Sequence, residues 1–362
     1  MANTIYSPAE APKPNMWAKI SPPWKLIASI FALIAMWQIG ILLVYGSVVT
    51  PSVDGSERAK VLAIKMLMRV GLFMTLFICV RLVQFALSSG EGHLAPKLMD
   101  KLRSDPARVL RGVMMFTLGA ISFVWLQSTF MSSKVLIPEI HPFSLDPALA
   151  KIDRILFFGH DPYTAFQWLF DVPNILKRID QAYTYWAGLV AGFWIYCFLS
   201  ERMERTRRFQ YLFASVLLWF IAGTFAATLL SSAGPCYYGE FTGDTAAFAP
   251  LMQQLHSFHD VHYLDAVNTQ GILLEMYHTP HLRFGGISAA PSLHVGTSLM
   301  LLILFRKTPI ARELLILFNI AIYIGSIILG WHYAVDGLIV VPIVLFCWWA
   351  GGKLGARVRA WR

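Results

Sequence analysis

Apolar residues in this chain gather into long runs, and a run of about 20 mostly apolar residues is enough to cross a bilayer as a helix. Eight such runs lie near residues 25–47, 62–87, 109–131, 181–200, 210–231, 291–305, 312–330 and 335–351. They predict an all-α polytopic membrane protein of about eight transmembrane helices. The sixth and eighth runs are short when only apolar residues are counted. The first is too long for a signal-peptide core and reads as a retained span. The pattern divides the chain into a tail (1–24), three helices (25–131), an outer segment (132–180), a larger transmembrane domain (181–352) with a loop at 232–290, and a basic tail (353–362).

Two of the polar breaks are long. Residues 132–180 place Ala148, Leu149, Ile152, Ile155 and Leu156 at helical spacing, with Pro142, Pro147, Pro162 and Pro173 as breakers. This predicts short amphipathic helices lying on the membrane, either as a cap on the spans or as a surface that funnels a lipid to a site. The 232–290 loop holds five of the ten histidines, and His256, His259 and His262 recur three apart. No Glu accompanies them in a metalloenzyme motif. Phe258 and Tyr263 suit an interfacial loop instead, so no metal is expected.

Composition agrees with this reading. Of 362 residues, 56% are hydrophobic and 14% charged, with a mean hydropathy of +0.56, whereas soluble domains run near a quarter charged. The net charge of +9 does not argue for nucleic acid, because the basic residues sit in short loops between apolar runs and not on one face of a soluble domain. Nineteen of the 30 Lys and Arg fall in the tails and alternate short loops, against eight in the longer segments on the other side. By the positive-inside rule both termini are cytoplasmic. With no organelle address, a bacterial inner membrane is expected, with 132–180 and 232–290 on the periplasmic side. The four cysteines, Cys79, Cys197, Cys236 and Cys347, have no metal-like spacing and read as packing residues.

Two stretches carry the chemistry: Pro291-Ser292-Leu293-His294 and Gly330-Trp331-His332-Tyr333-Ala334-Val335-Asp336. Each borders an apolar run, where an ionisable side chain is costly and marks function. The distribution of basic residues, counted without them, puts His294, His332 and Asp336 on one membrane face, opposite the cytoplasm. His332 and Asp336 are four apart, which on a helix stacks them on one side. A carboxylate bonded to one imidazole nitrogen leaves the other free as a nucleophile and stabilises the imidazolium. The alternative is a pair that only satisfies itself at the interface. Pro291 suits a first helical position, so the N–H groups of Ser292 to His294 would form an anion site. The Ser292 hydroxyl adds to it, and His294 is placed to protonate a leaving oxygen.

These stretches, in this order on adjoining spans, resemble the type 2 phosphatidic acid phosphatase superfamily. Its signature runs Lys-x6-Arg-Pro, Pro-Ser-Gly-His and Ser-Arg-x5-His-x3-Asp. Leu293 and the His-Tyr-x-x-Asp ending are closer to the branch containing inositol phosphorylceramide synthase. The resemblance covers roughly residues 181–350. It implies a six-helix phosphatase or phosphotransferase core and no cofactor. It also implies His332 as the nucleophile that forms a phosphohistidine, Asp336 as its orienter, His294 as general acid and Ser292 as a phosphate contact.

The departures carry information. Gly325 and Ser326 stand where the third part of the signature has Ser and Arg, and no Lys-x6-Arg-Pro occurs; the corresponding place reads Gly234-Pro235-Cys236-Tyr237-Tyr238. The lost cations suit a phosphodiester, or leave the task to another residue. Arg283, eight residues before Pro291, is the first substitute considered, against its reading as a solvated loop Arg. Arg69 is a weaker candidate, since snorkelling explains it equally well. Tyr237 and Tyr238 are candidate donors to the substrate phosphate, at a depth where aromatic residues occur anyway.

The expected function is an integral-membrane lipid phosphate esterase working on the outer face. It is a phosphatase or, with a second lipid as acceptor, a head-group phosphotransferase; its partner is a membrane lipid. The reading from another class is a lipid-binding or transport protein. Transporters tend to carry inverted repeats and broken helices at the bilayer midplane, and no repeat is visible here.

Overall fold

A computed structural model describes residues 23–48, 104–279 and 286–360. The described chain is helical. Its elements are α1 (Trp24–Val48), α2 (Pro106–Ile140), α3 (Asp146–Leu156), a 3₁₀ segment (Pro162–Asp171), α4 (Pro173–Leu199) and α5 (Arg205–Leu229). Then follow α6 (Tyr238–Thr242), α7 (Ala249–His262), α8 (Asp265–His278), α9 (Leu293–Phe305), α10 (Pro309–Ile328) and α11 (Ala334–Ala360). Among these, α1, α2, α4, α5, α10 and α11 are long and apolar enough to cross a membrane, and the protein is a polytopic all-α membrane protein. The predicted run at 62–87 lies outside the described residues.

Boundaries differ from expectation where proline does not stop the helix. Helix α2 continues through Pro138 to Ile140, well past the predicted end at 131. Helix α4 opens at Pro173, where proline costs no hydrogen bond. The sixth run forms α9, a helix of only 13 residues, so it extends roughly 20 Å.

Thr129 donates to Gln38 Oε1 at 2.7 Å and Phe31 packs edge-on to Trp125, so α1 and α2 rise side by side in the same direction. Helices α5 and α11 pack closely because Gly351 leaves room: a Cβ there would lie 2.7 Å from Ala214 N and Gln210 O. Small residues at such contacts are the usual means of packing helices where apolar burial gives no advantage over lipid. Polar side chains tie the spans further, as in Ser133–Thr224 (2.7 Å), Ser298–Asn319 (3.0 Å) and Trp194–Ser122 (3.1 Å). Cys197 and Cys347 are buried free thiols within this bundle.

Helix α3 has its faces reversed relative to a soluble amphipathic helix. Asp146, Leu149, Ala150 and Asp153 are buried against the protein, while Ile152, Ile155 and Leu156 are exposed, followed by Phe158 at the turn. The apolar spacing in the sequence does form a helix, but its outer part faces away from the bundle. The carboxylates face in.

Candidate active site

The site is built at the end of the bundle where α9 and α11 begin. Helix α10 closes with Leu329 N–H donating to Gly325 O (3.0 Å), and Gly330 then takes φ +75. That left-handed conformation is the usual glycine stop after a helix. His332 follows in the connecting turn, with its amide donating to Ser326 O at 2.9 Å. Helix α11 starts only at Ala334. His332 thus precedes the helix that carries Asp336, which corrects the expectation that the two stack on one helix face.

They meet nonetheless. His332 Nδ1 lies 3.3 Å from Asp336 Oδ2, and the same oxygen accepts the Tyr333 amide at 3.1 Å. A carboxylate in the first turn that reaches back to the amide preceding the helix is half of a capping box. Asp336 is fully buried and His332 nearly so. The other oxygen, Oδ1, has no hydrogen-bond partner. With Nδ1 turned to the carboxylate, Nε2 is the nitrogen left for chemistry.

At α9, Ser292 is the N-cap: its Oγ accepts the Val295 amide at 3.4 Å, and its own amide donates to the Asp336 carbonyl at 3.3 Å. Pro291 therefore precedes the helix instead of opening it, and the Ser292 amide is already engaged. The serine is fully buried beside Asp336. His294, one residue into α9, is stacked on Tyr183 (ring centroids 4.2 Å) and packs at a tilt on Trp186 (4.1 Å). Trp186 is fixed in turn by donating to Thr297 Oγ1 at 2.7 Å. The centroids of His294 and His332 are 5.8 Å apart. At that separation the two rings meet edge-on, so both imidazoles border one place at the end of the bundle.

Distant acids hold the turn in place. Asp153 of α3 accepts the amides of Ala334 (2.7 Å) and Val335 (2.8 Å), the free N–H groups at the start of α11. Asp146 accepts the amides of Ala233 (2.9 Å) and Gly234 (2.8 Å) and the Tyr333 hydroxyl (2.8 Å). Burial pushes the Asp153 carboxyl up to about 6 and Asp146 in the same direction, against the pull of these hydrogen bonds. Gly234, at φ +100, lets the 233–236 loop pass under the site: a Cβ there would lie 2.5 Å from Trp331 O. Cys236 N–H then donates to Gly330 O at 2.8 Å.

Of the residues singled out from the sequence, His294, Ser292, His332 and Asp336 come together. Tyr238 packs edge-on against Phe248 (5.1 Å), which in turn packs on Tyr333 (6.1 Å), while Tyr237 donates to Gln270 O at 3.0 Å. Arg283 and Arg69 lie outside the described residues. His259 engages the Leu264 backbone and His262 packs on Phe258. Sequence reasoning missed Tyr183 and Trp186, which read as ordinary interfacial aromatics. It also missed Asp146 and Asp153, whose seven-residue spacing places two acids on one face of α3 and was the available signal.

Neither the curated proteins nor the solved structures yield a match to this chain. A family model described as the PAP2 superfamily matches residues 147–350. That stretch runs from α3, with Asp153, through both histidines and Asp336 into α11, and it covers more than half of the chain: the chain belongs to the PAP2 superfamily.

Proposed function

We propose that the protein is a lipid phosphate esterase of the outer membrane face, working through a phosphohistidine on His332. The observation that carries this is the His332–Asp336 pair at 3.3 Å with His294 at 5.8 Å between ring centroids. His332 Nε2 attacks phosphorus, and the P–N bond forms as the ester P–O bond breaks. His294 gives its proton to the departing oxygen. It then takes a proton from water or an acceptor hydroxyl, whose oxygen displaces His332 and regenerates the free imidazole. Asp336 keeps Nδ1–H in place and offsets the imidazolium charge.

The orientation rests on the basic residues. Arg207, Arg208, Arg306 and Arg312 cluster at the bundle end opposite the histidines, as expected for a cytoplasmic side. A head-group phosphotransferase acting on a phosphodiester, similar to inositol phosphorylceramide synthase, is favoured over a simple phosphatase by Gly325 and Ser326. The Ser326 hydroxyl turns back to Tyr323 O at 2.7 Å and supplies no cation for a doubly charged phosphomonoester.

The test incubates purified protein with lipid phosphomonoesters and phosphodiesters, with and without ceramide or diacylglycerol, beside His332→Ala. Free phosphate lost in the variant marks a phosphatase. A new phosphodiester lipid formed only with acceptor marks a transferase. Identical products from wild type and variant would refute the phosphohistidine.

A further inference from the structure

Three observations converge beside the histidine pair. The first is an orphaned donor. Tyr183 is buried, and its hydroxyl has no hydrogen-bond partner, although buried hydroxyls nearly always find one. The ring lies on His294 at 4.2 Å and parallel to Trp331, with centroids 6.3 Å and planes 5° apart. Glycine at position 325 lets α4 come close here: a Cβ there would lie 2.8 Å from Ile179 Cγ2 and in ordinary contact, 3.4 Å, with Tyr183 Cδ2. The tyrosine therefore packs against the turn of α10 where the superfamily signature carries its Ser-Arg pair.

The second observation is a second orphaned donor on the same stack. Trp331 Nε1 is buried without a partner, one residue before His332.

The third is a cation. Lys134 lies within α2, about two turns from its end, at a depth where an ionisable side chain marks function. Among the described residues no carboxylate pairs with it. The chain leading into Ser292 crosses directly over its backbone, since a Cβ on Gly286 would lie 2.4 Å from Lys134 O. One turn earlier, Phe130 and Leu293 meet over Gly223, where a Cβ would touch both at 2.7 and 2.6 Å. The Lys134 ammonium lies 5.8 Å over that Phe130 ring, so the lysine is seated against the segment that delivers His294.

We propose that the substrate phosphate is held by the Lys134 ammonium and the Tyr183 hydroxyl, which together replace the cations missing from the signature. One cation and neutral donors match the single negative charge of a phosphodiester better than the two charges of a monoester. This deepens the function proposed above and rests on the same site, so its test separates binding from turnover.

The experiment uses the full chain in detergent and follows inorganic phosphate and a short-chain phosphodiester lipid by tryptophan fluorescence, with Trp186 and Trp331 as reporters. Lys134→Met, Lys134→Arg and Tyr183→Phe are compared with wild type, and turnover and Tm are recorded in parallel. A charge-assisted hydrogen bond is worth roughly a factor of ten or more in binding. Lys134→Met and Tyr183→Phe should each weaken both ligands at least that much and raise KM more than they lower kcat. Lys134→Arg should restore most of the loss, and Tyr183→Phe, which removes one oxygen, should keep the wild-type Tm. Wild-type affinity in Lys134→Met and Tyr183→Phe overturns the assignment, as does a wild type that binds neither ligand. Turnover that depends on His332 while KM ignores Lys134 and Tyr183 removes these two residues and leaves the phosphohistidine. Phosphate binding that follows the two residues, with turnover indifferent to His332, does the reverse.

Discussion

Asp153 caps a helix that begins 181 residues later: its two oxygens accept the amides of Ala334 and Val335 at 2.7 and 2.8 Å. The first turn of α11 carries Asp336, and the turn before it carries His332. The carboxylate of α3 therefore fixes where the proposed nucleophile and its orienter sit.

Removing that cap should be costly. Asp153→Ala leaves two buried amides unsatisfied, a loss of about 2 kcal/mol or more. Tm should fall by several degrees, and kcat should fall at least tenfold, because the start of α11 is no longer held. Thermal unfolding followed by tryptophan fluorescence, beside a turnover assay, checks both. Asp153→Asn keeps an acceptor and should recover part of each.

The same residue gives a pH signature. Burial raises Asp153 to about 6 and Asp146 in the same direction, so the folded protein holds protons that the unfolded chain has released above about pH 4. Stability from these groups is therefore fullest at acid pH and declines as pH rises from about 4 to 6. Tm should be higher at pH 5 than at pH 7, and the difference should shrink in Asp153→Asn. An unchanged difference would count against the assignment.

Asp336→Asn tests the pair itself. The amide still accepts the Tyr333 N–H, so Tm should hold within a few degrees. With the imidazole no longer oriented or charge-balanced, kcat should fall by about 10²–10⁴-fold with KM little changed. Trapping phosphate on His332 by mass spectrometry should fail in parallel.

Gly234→Ala addresses the loop beneath the site. Position 234 holds φ +100, and a Cβ there would come within 2.5 Å of Trp331 O. With ψ at 165 the position lies in a region essentially reserved for glycine, so alanine adds roughly 1–3 kcal/mol of backbone strain and must push Trp331. Activity should drop more steeply than Tm, since Trp331 precedes His332. Equal wild-type turnover would show that the loop is slack there.

The spans were legible because lipid imposes a length and a polarity that local sequence reports directly. The site stretches were legible for a related reason: His294, His332 and Asp336 are expensive where they stand. What stayed hidden depends on chain ends meeting across the bundle. Asp146 and Asp153 look like the polar side of a surface helix until α11 is seen to begin above them. Tyr183 and Trp186 look like any aromatic residues near a membrane surface until His294 is found packed on both. Lys134 reads as part of the outer segment because the apolar run ends near residue 131, whereas the helix continues to Ile140. The His332–Asp336 spacing suggests the right contact by a helical route, whereas the turn at Gly330 delivers it.

The reversed faces of α3 bear on when the site comes into being. Asp146 can reach the 233–234 loop earlier, but Asp153 meets the start of α11, and Tyr333 meets Asp146, only after the last span has been made. Until then the histidine turn lacks the groups that organise it. A chain still threading into the bilayer would carry both imidazoles without their geometry, and a lipid phosphate beside it would meet no assembled nucleophile. The geometry of the site is thus complete only when the whole bundle is.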